Sequence, residues 1–339
     1  MRRFYEIISL LVVFSLLNAS SVFAYHALTH RLFNRYVVEK NVNGFSLNSY
    51  LRDELALSNG IEEEFQSQEG ECKLEETNNV WKWIEHGGAW EDNPPPDLPD
   101  FGSFSCPWAI RAFNHYYNPV TDRGLSSFGG GAAIEWFMSQ ERRTIFWKNM
   151  GDYAWDDVRG YFYNALTSRD SKVREDAFAD TFRGLGHLMH LVQDVSVPSH
   201  ARLDPHIFYH YEDWVEHHYV KQDESTNKVS EKNPLPYPDP DYHFFGSPVE
   251  ENETIENILC IIDADIYNGK NHRNLAPGNE VGLSEYANAN FFSNDTIRYT
   301  EWWSWLLKIG LTVTAGPYRI DVVPPSDVLR KSPPSALSP

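Results

Sequence analysis

Imidazole and carboxylate side chains are concentrated between positions 190 and 212, and this stretch is the best suited to chemistry. His190 and Asp194 are four residues apart, so on a helix they lie on one face, one turn apart, and can reach the same cation. His200 follows beyond Pro198, where the chain can turn back toward the end of the helix. Three further candidate ligands complete the stretch: His206, His210 and Glu212. Because zinc sites need several converging imidazole or carboxylate ligands, the pattern predicts a metal site.

A long helix is predicted to carry the first two of these residues. Apolar side chains recur at spacings of four and three from 172 to 195, as expected of a core-facing stripe: Phe178, Phe182, Leu185, Met189 and Val192. Polar side chains recur at the same spacings of four and three, one or two positions later: Arg183, His187, His190 and Asp194. One position is roughly 100° around a helix, so the polar groups should form a separate stripe beside the core stripe.

The rest of the chain also favours helices. Helical spacing follows His30, and a second helix is expected to begin near position 211. Gly87, Gly88 and the prolines between 86 and 108 are typical helix breakers, which predicts a long loop there. Little strand alternation and no repeat are evident, so the sequence predicts one mainly α domain.

The two ends of the chain differ from the middle. Residues 1–24 have a positive start and a short apolar run, which is typical of a secretion signal. Residues 25–320 are assigned to the folded domain. Residues 321–339 are rich in proline and serine and are expected to be disordered. The mature protein is therefore expected to be secreted or periplasmic.

Charge and cysteine content narrow the functional classes. The formal net charge is −19, which disfavours a general polyanion binder because phosphate affinity normally comes from Lys and Arg. The three cysteines, Cys72, Cys106 and Cys260, form no CxxC pair, so a thiolate zinc site is not expected. A secreted protein can form one disulfide, and the pairing among the three stays open.

The segment from His190 to His200 resembles the zinc-dependent phospholipase C family of bacteria, which shares its fold with the zinc-dependent single-strand nucleases. The family pattern is His-x3-Asp-x5-His with a proline two positions before the last histidine, and this segment matches it fully. Three upstream segments agree with the family in order: 30–35, 90–92 and 114–119. The resemblance implies a single helical domain of the phospholipase C and nuclease type.

The resemblance also implies a ligand set for up to three zinc ions. The first ion would be held by Asp92, His115, His190 and Asp194, with Asp92 assigned ahead of Glu91. The second would be held by the amine and carbonyl of a Tyr25 terminus freed by cleavage after Ala24, by His30 and by Asp194. The third would be held by His200, a further histidine and Glu212. His206 is favoured for that histidine, because His210 and Glu212 would point to different sides of a regular helix, but the choice stays open.

By resemblance, the protein is expected to be a secreted phospholipase C. Such an enzyme hydrolyses the headgroup phosphodiester of a lipid through a metal-activated water, and Asp92 would orient or deprotonate that water. The expected partners are a phospholipid or another phosphodiester, with a transient contact to a membrane surface and no stable protein partner. Two alternatives stay open: a single-strand nuclease with the same zinc site, acting on nucleic acid, and a non-catalytic secreted protein that keeps zinc only for stability.

Overall fold

The computed structural model is mainly helical, which confirms the expected fold class at that level. It describes residues 27–41, 44–69, 75–92, 108–125, 130–139, 144–145, 148–149, 152–204, 211–223, 225–233, 259–270 and 281–291. These ranges contain nine α-helices and three two-stranded antiparallel sheets. The chain divides into two units, Met1–Phe291 and Phe292–Pro339, and every described residue belongs to the first.

The helices vary widely in length. They are α1 (Ala27–Glu39), α2 (Leu47–Asp53), α3 (Val80–Trp90), α4 (Ala133–Met138), α5 (Trp155–Thr167), α6 (Ser171–Asp194), α7 (Pro198–Ala201), α8 (Tyr211–Tyr219) and α9 (Leu283–Asn290). Short 3-10 helices occupy Gly60–Glu62 and Trp108–Asn114.

The strands form three small hairpins. Strand β1 (Glu64–Gln66) pairs with β2 (Thr77–Asn79), β3 (Thr144–Ile145) with β4 (Lys148–Asn149), and β5 (Val220–Asp223) with β6 (Lys228–Glu231).

Helix α6 is the longest of the described helices and packs against α1, α3 and α5. The Asp170 side chain caps its first turn by accepting a hydrogen bond from Lys172 N, 2.9 Å away. The bounds of α6 confirm the helix predicted from residues 172–195.

The apolar stripe of α6 packs against the core, as expected, but the polar stripe is buried more completely. In the apolar stripe Phe178 and Phe182 are buried, but Leu185, Met189 and Val192 are only partly buried. In the polar stripe every member is at most 2% exposed: Arg183, His187, His190 and Asp194. Other helices therefore cover the polar stripe, and its side chains must find partners inside the protein.

Helices α3 and α6 approach each other through glycine. A Cβ on Gly186 would lie 2.3 Å from Ile84 O, and a Cβ on Gly87 would lie 2.2 Å from Arg183 O. The predicted helix break at Gly87 and Gly88 is therefore wrong. Helix α3 continues to Trp90, and these glycines allow backbone contact with α6 instead of ending the helix.

A short turn leads from α6 into α7. Val197 N donates to Asp194 O at 2.8 Å, and Pro198 occupies the first turn of α7, where its missing N–H costs nothing. Helix α9 is fastened to α7, because Asn288 Nδ2 donates to Ala201 O at 2.6 Å. The chain thus turns back after Pro198, as expected, and His200 lies on α7.

Several sequence predictions fall outside the described residues. They concern the secretion signal at 1–24, the tail at 321–339, and the residues Tyr25, His206, His210, Cys72 and Cys106. None of the described helices combines the length and the apolar character needed to span a membrane.

Candidate metal centre

Five side chains with metal-ligand chemistry meet between the helices. The His–Asp cluster, as we name it, consists of His30, Asp92, His115, His190 and Asp194, all at most 1% exposed. His30 comes from α1, Asp92 follows α3, His115 follows the 3-10 helix, and the last two come from α6. The cluster contains two triads that could each hold a metal ion: His30, His190 and Asp194, and Asp92, His115 and His190.

Asp194 lies at the centre of the cluster. Its Oδ2 is 2.8 Å from His115 Nδ1 and 3.0 Å from His190 Nε2, and its Oδ1 is 3.4 Å from His30 Nε2. The rings of His30 and His190 stack with centroids 3.6 Å apart. One carboxylate therefore faces three imidazoles from three separate segments of the chain.

Asp92 approaches the same imidazoles from the end of α3. Its Oδ1 is 3.3 Å from His115 Nδ1, and its Oδ2 is 3.6 Å from His190 Nε2. The contacts of Asp92 and Asp194 with the imidazoles lack hydrogen-bond geometry, and all four carboxylate oxygens are buried without a hydrogen-bond partner among the described residues. Because such burial is costly unless a partner compensates it, the donor set fits a bound cation.

In each histidine of the cluster, one ring nitrogen is hydrogen-bonded to a residue outside the cluster. His30 Nδ1 donates to Gln193 Oε1 at 2.7 Å, and His190 Nδ1 donates to Gly88 O at 2.6 Å. His115 Nε2 donates to Glu91 Oε1 at 3.3 Å. An outer hydrogen bond of this kind fixes the tautomer and leaves the other nitrogen as a lone-pair donor, which is the usual arrangement of metal-bound histidines.

The hydrogen bonds that begin at His30 continue through Gln193 to the backbones of α3 and α6. Gln193 Nε2 donates to Asn34 Oδ1 at 2.7 Å, and Asn34 Nδ2 donates to Ile84 O at 2.9 Å. The second Asn34 contact, with Gly186 O, is 3.3 Å. The orientation of His30 is therefore tied to the contact between α3 and α6.

Electrostatics favour positive charge at the centre of the cluster. Burial alone would raise the pKa of Asp194, but the imidazoles of His190 and His200 outweigh it and hold that pKa well below its usual range. Burial alone would lower the pKa of His115, but Asp194 and Glu91 outweigh it and raise that pKa to about 10. The same negative potential would stabilise a divalent cation.

The residues assigned to a third ion lie beside the cluster. His200 Nδ1 donates to His115 O at 3.1 Å and is 3.9 Å from Asp194 Oδ2. Glu212 is fully buried and its Oε1 accepts a 3.4 Å hydrogen bond from Ser199 Oγ. Within the described ranges no candidate triad includes His200 or Glu212. Since Tyr25 and His206 lie outside those ranges, the second and third zinc sites stay predictions.

Glu91 is the main site residue that the sequence analysis did not select. It is fully buried, and its two oxygens contact Arg111, His115, His187 and Trp136. Burial opposes ionisation of Glu91, but Arg111 and the two imidazoles outweigh it and hold the pKa well below its usual range. The sequence signal was its place beside Asp92 in segment 90–92, where it was considered only as a ligand and ranked second.

His187, one turn before His190, is also hydrogen-bonded to Glu91. Its Nδ1 donates to Glu91 Oε2 at 2.5 Å, and its ring stacks on Tyr153 with centroids 4.3 Å apart. Burial lowers the pKa of His187 to about 3, so it is a neutral hydrogen-bonding partner of Glu91.

A second group of possible ligands lies nearer the surface. The aspartate group, as we name it, consists of Asp122, Asp263 and Asp265, of which the first and last are exposed. Tyr117 Oη donates to Asp122 Oδ1 at 2.8 Å and also to Asp263 Oδ2. Asp263 Oδ1 also accepts a hydrogen bond from Asp265 N, so both oxygens of Asp263 already have protein partners.

Comparisons of the chain with protein-family models, with curated proteins and with solved structures gave no match. The resemblance to the zinc-dependent phospholipase C family therefore rests on the sequence motifs, and the structure adds a mainly helical fold with buried His/Asp triads suited to a metal ion.

Proposed function

We propose that the protein is a zinc-dependent phosphoesterase, and specifically a phospholipase C that hydrolyses the headgroup phosphodiester of phospholipids. The observation that carries this proposal is the His–Asp cluster. One ring nitrogen of each imidazole is hydrogen-bonded to a residue outside the cluster, and the other faces buried carboxylates that have no hydrogen-bond partner among the described residues. Such a mixed nitrogen and oxygen donor set suits zinc. The choice of lipid as substrate comes from the motif resemblance alone.

The proposed chemistry assigns roles to the cluster. Asp92, His115, His190 and Asp194 would hold the first ion, and Asp194 would be shared with a second ion held by His30. Bound zinc supplies Lewis acidity, which lowers the pKa of a water molecule and polarises a phosphoryl oxygen. Asp92 would orient the attacking water and accept its proton.

The depth of the cluster favours a second candidate function. Every member of the cluster is at most 1% exposed. A structural zinc site is closed, whereas a catalytic site keeps an open coordination position. A secreted protein that uses zinc only for stability would have such a closed cluster.

An assay of the processed protein separates these functions. The secreted chain, with its N-terminus sequenced and its zinc content measured, is incubated with phosphatidylcholine vesicles and with single-stranded DNA. We expect release of phosphocholine that stops on chelation and returns with zinc. Cleavage of DNA alone would indicate the nuclease alternative. A zinc-loaded protein inert to both substrates would indicate the non-catalytic alternative.

A pair of variants tests whether the cluster carries the activity. Asp194→Asn removes the central carboxylate and should lower the hydrolysis rate by about 10³-fold, because zinc contributes several kcal/mol of transition-state stabilisation. Asp263→Asn makes the same chemical change in the aspartate group and should leave the rate within about twofold of the unmodified protein. Equal losses in both variants would contradict the proposed site.

A further inference from the structure

Two adjacent carboxylates contact different nitrogens of one imidazole. Asp92 Oδ1 lies 3.3 Å from His115 Nδ1, whereas Glu91 Oε1 accepts a hydrogen bond from His115 Nε2 at 3.3 Å. A neutral imidazole has one N–H donor and one lone pair. Metal binding requires this neutral form, so the residue that accepts the N–H hydrogen bond decides which nitrogen can bind a cation.

We propose that Glu91 is a positioning residue of the metal centre, which accepts a hydrogen bond from the Nε2–H of His115 and so leaves Nδ1 as the ligand atom. The inference rests on the proposed metal site, because it assigns a role to Glu91 only if the cluster binds a cation. Glu91 itself is not a ligand, since both of its oxygens already accept hydrogen bonds from protein donors.

The contacts of Glu91 explain how a buried carboxylate keeps a fixed orientation. Its Oε1 accepts from Trp136 Nε1 at 2.8 Å as well as from His115. Its Oε2 accepts from Arg111 Nη2 and from His187 Nδ1, both at 2.5 Å. Four donors therefore saturate the two oxygens, and Arg111 compensates the negative charge. A carboxylate held in this way can hold an imidazole ring in turn.

The opposite tautomer of His115 would remove one ligand atom from the cluster. With its proton on Nδ1, His115 would present an N–H to Asp92 and Asp194 and would offer no lone pair between them. Its Nε2 lone pair would then face the Glu91 carboxylate, and two acceptors would repel each other. With a cation between Nδ1 and the carboxylates of Asp92 and Asp194, the Glu91 contact thus favours the ligand-competent form of the ring.

A cobalt titration tests the inference without any activity assay. Metal-free protein is titrated with Co²⁺, whose visible absorption reports the number and type of ligands. Glu91→Gln keeps the size of the side chain but removes the charge that holds the Nε2 proton. We expect it to bind Co²⁺ about 10- to 100-fold more weakly than the unmodified protein, with an altered visible spectrum.

Glu85→Gln is the matched control. Glu85 also lies on α3, is 1% exposed, and is paired with Arg31 and Arg35 rather than with a cluster histidine. It should lower thermal stability but leave the Co²⁺ affinity and spectrum unchanged. An unchanged titration in Glu91→Gln, or an equal change in Glu85→Gln, would overturn the role of Glu91 while the metal site stands. If the unmodified protein binds no Co²⁺, both the metal site and the role of Glu91 fail.

Nitrogen-15 NMR of the unmodified protein gives a second measurement that does not depend on how the variants fold. The metal-loaded protein should show His115 protonated at Nε2 and without a proton on Nδ1. A proton on Nδ1 would overturn the inference.

Discussion

The His–Asp cluster and the aspartate group both bring ligand-type atoms within 4.8 Å of one another, but they differ in how their other hydrogen bonds are satisfied. In the cluster the carboxylate oxygens of Asp92 and Asp194 have no hydrogen-bond partner among the described residues. One ring nitrogen of each imidazole is hydrogen-bonded to a residue outside the cluster. In the aspartate group, Asp122 Oδ1 and both oxygens of Asp263 already accept hydrogen bonds, from Tyr117 Oη and from Asp265 N. Closeness of ligand-type atoms is therefore a weak indication of a metal site. The hydrogen-bond partners of the carboxylates and imidazoles are a better indication.

Removal of metal should give the largest difference between the two regions. A ligand present at about 1,000 times its dissociation constant stabilises the folded state by about 4 kcal/mol, which corresponds to a shift in melting temperature on the order of 10 °C. We expect EDTA to lower the melting temperature of the unmodified protein by about that amount. Differential scanning calorimetry with and without EDTA measures the shift.

Two variants show where that stabilisation arises. Asp194→Asn should bind little zinc and show almost no EDTA effect, whereas Asp263→Asn should keep the full effect. If Asp263→Asn lost the EDTA shift and Asp194→Asn kept it, the metal would be bound by the aspartate group and not by the His–Asp cluster.

The helix contact behind the cluster should give the next largest effect. Gly186→Ala places a methyl group 2.3 Å from Ile84 O, so α3 and α6 must separate, at a cost of about 1–3 kcal/mol. The separation should also weaken Co²⁺ binding, since His190 donates to Gly88 O on α3. Urea unfolding and a Co²⁺ titration measure the two effects.

Gly160→Ala is the control for the change from glycine to alanine. Gly160 lies on the exposed side of α5, and its Cβ would meet nothing within 4 Å. This variant should stabilise the protein by about 0.5–1 kcal/mol, because alanine loses less conformational entropy in a helix. A stable Gly186→Ala variant with normal Co²⁺ affinity would show that the close approach of the helices is not needed.

The smallest effect should come from titration of the aspartate group. Burial raises the pKa of Asp263 to about 6, from 3.8 in the unfolded chain. The neutral form is favoured in the folded state, so the stability from this group is complete below pH 3.8 and is lost as pH rises through 6. Replacement by Asn removes this loss.

The stability of Asp263→Asn relative to the unmodified protein should therefore increase between pH 4 and pH 7. We expect an increase of about 1–2 kcal/mol, after allowance for the solvent screening of a partly exposed group. Urea unfolding at both pH values gives the difference. A difference that does not change with pH would show that Asp263 titrates normally.

Local geometry explains what the sequence could predict. The spacing of His190 and Asp194 places both on one face of a helix wherever that helix packs, so their proximity followed from positions four apart. The return of His200 followed from Pro198, which cannot extend the preceding helix. Mainly helical structure followed in the same way from apolar periodicity.

Long-range packing explains what the sequence could not predict. Gly87 was interpreted as a helix breaker, but its role depends on α6, which lies about a hundred residues away in the chain. The choice between Glu91 and Asp92 depends on which nitrogen of His115 each one meets, and no spacing rule contains that information. Leu185 packs against the core as expected, but the more complete burial of the polar stripe depends on neighbouring helices.

His190 belongs to both triads of the cluster, and this sharing limits how many ions can be loaded. Because its Nδ1 donates to Gly88 O, the ring has a single lone pair left, at Nε2. One imidazole lone pair serves one ion, so the two triads are alternatives and their occupancies do not simply add. A second ion, held by His30 and Asp194, would therefore need a further ligand from outside the two triads.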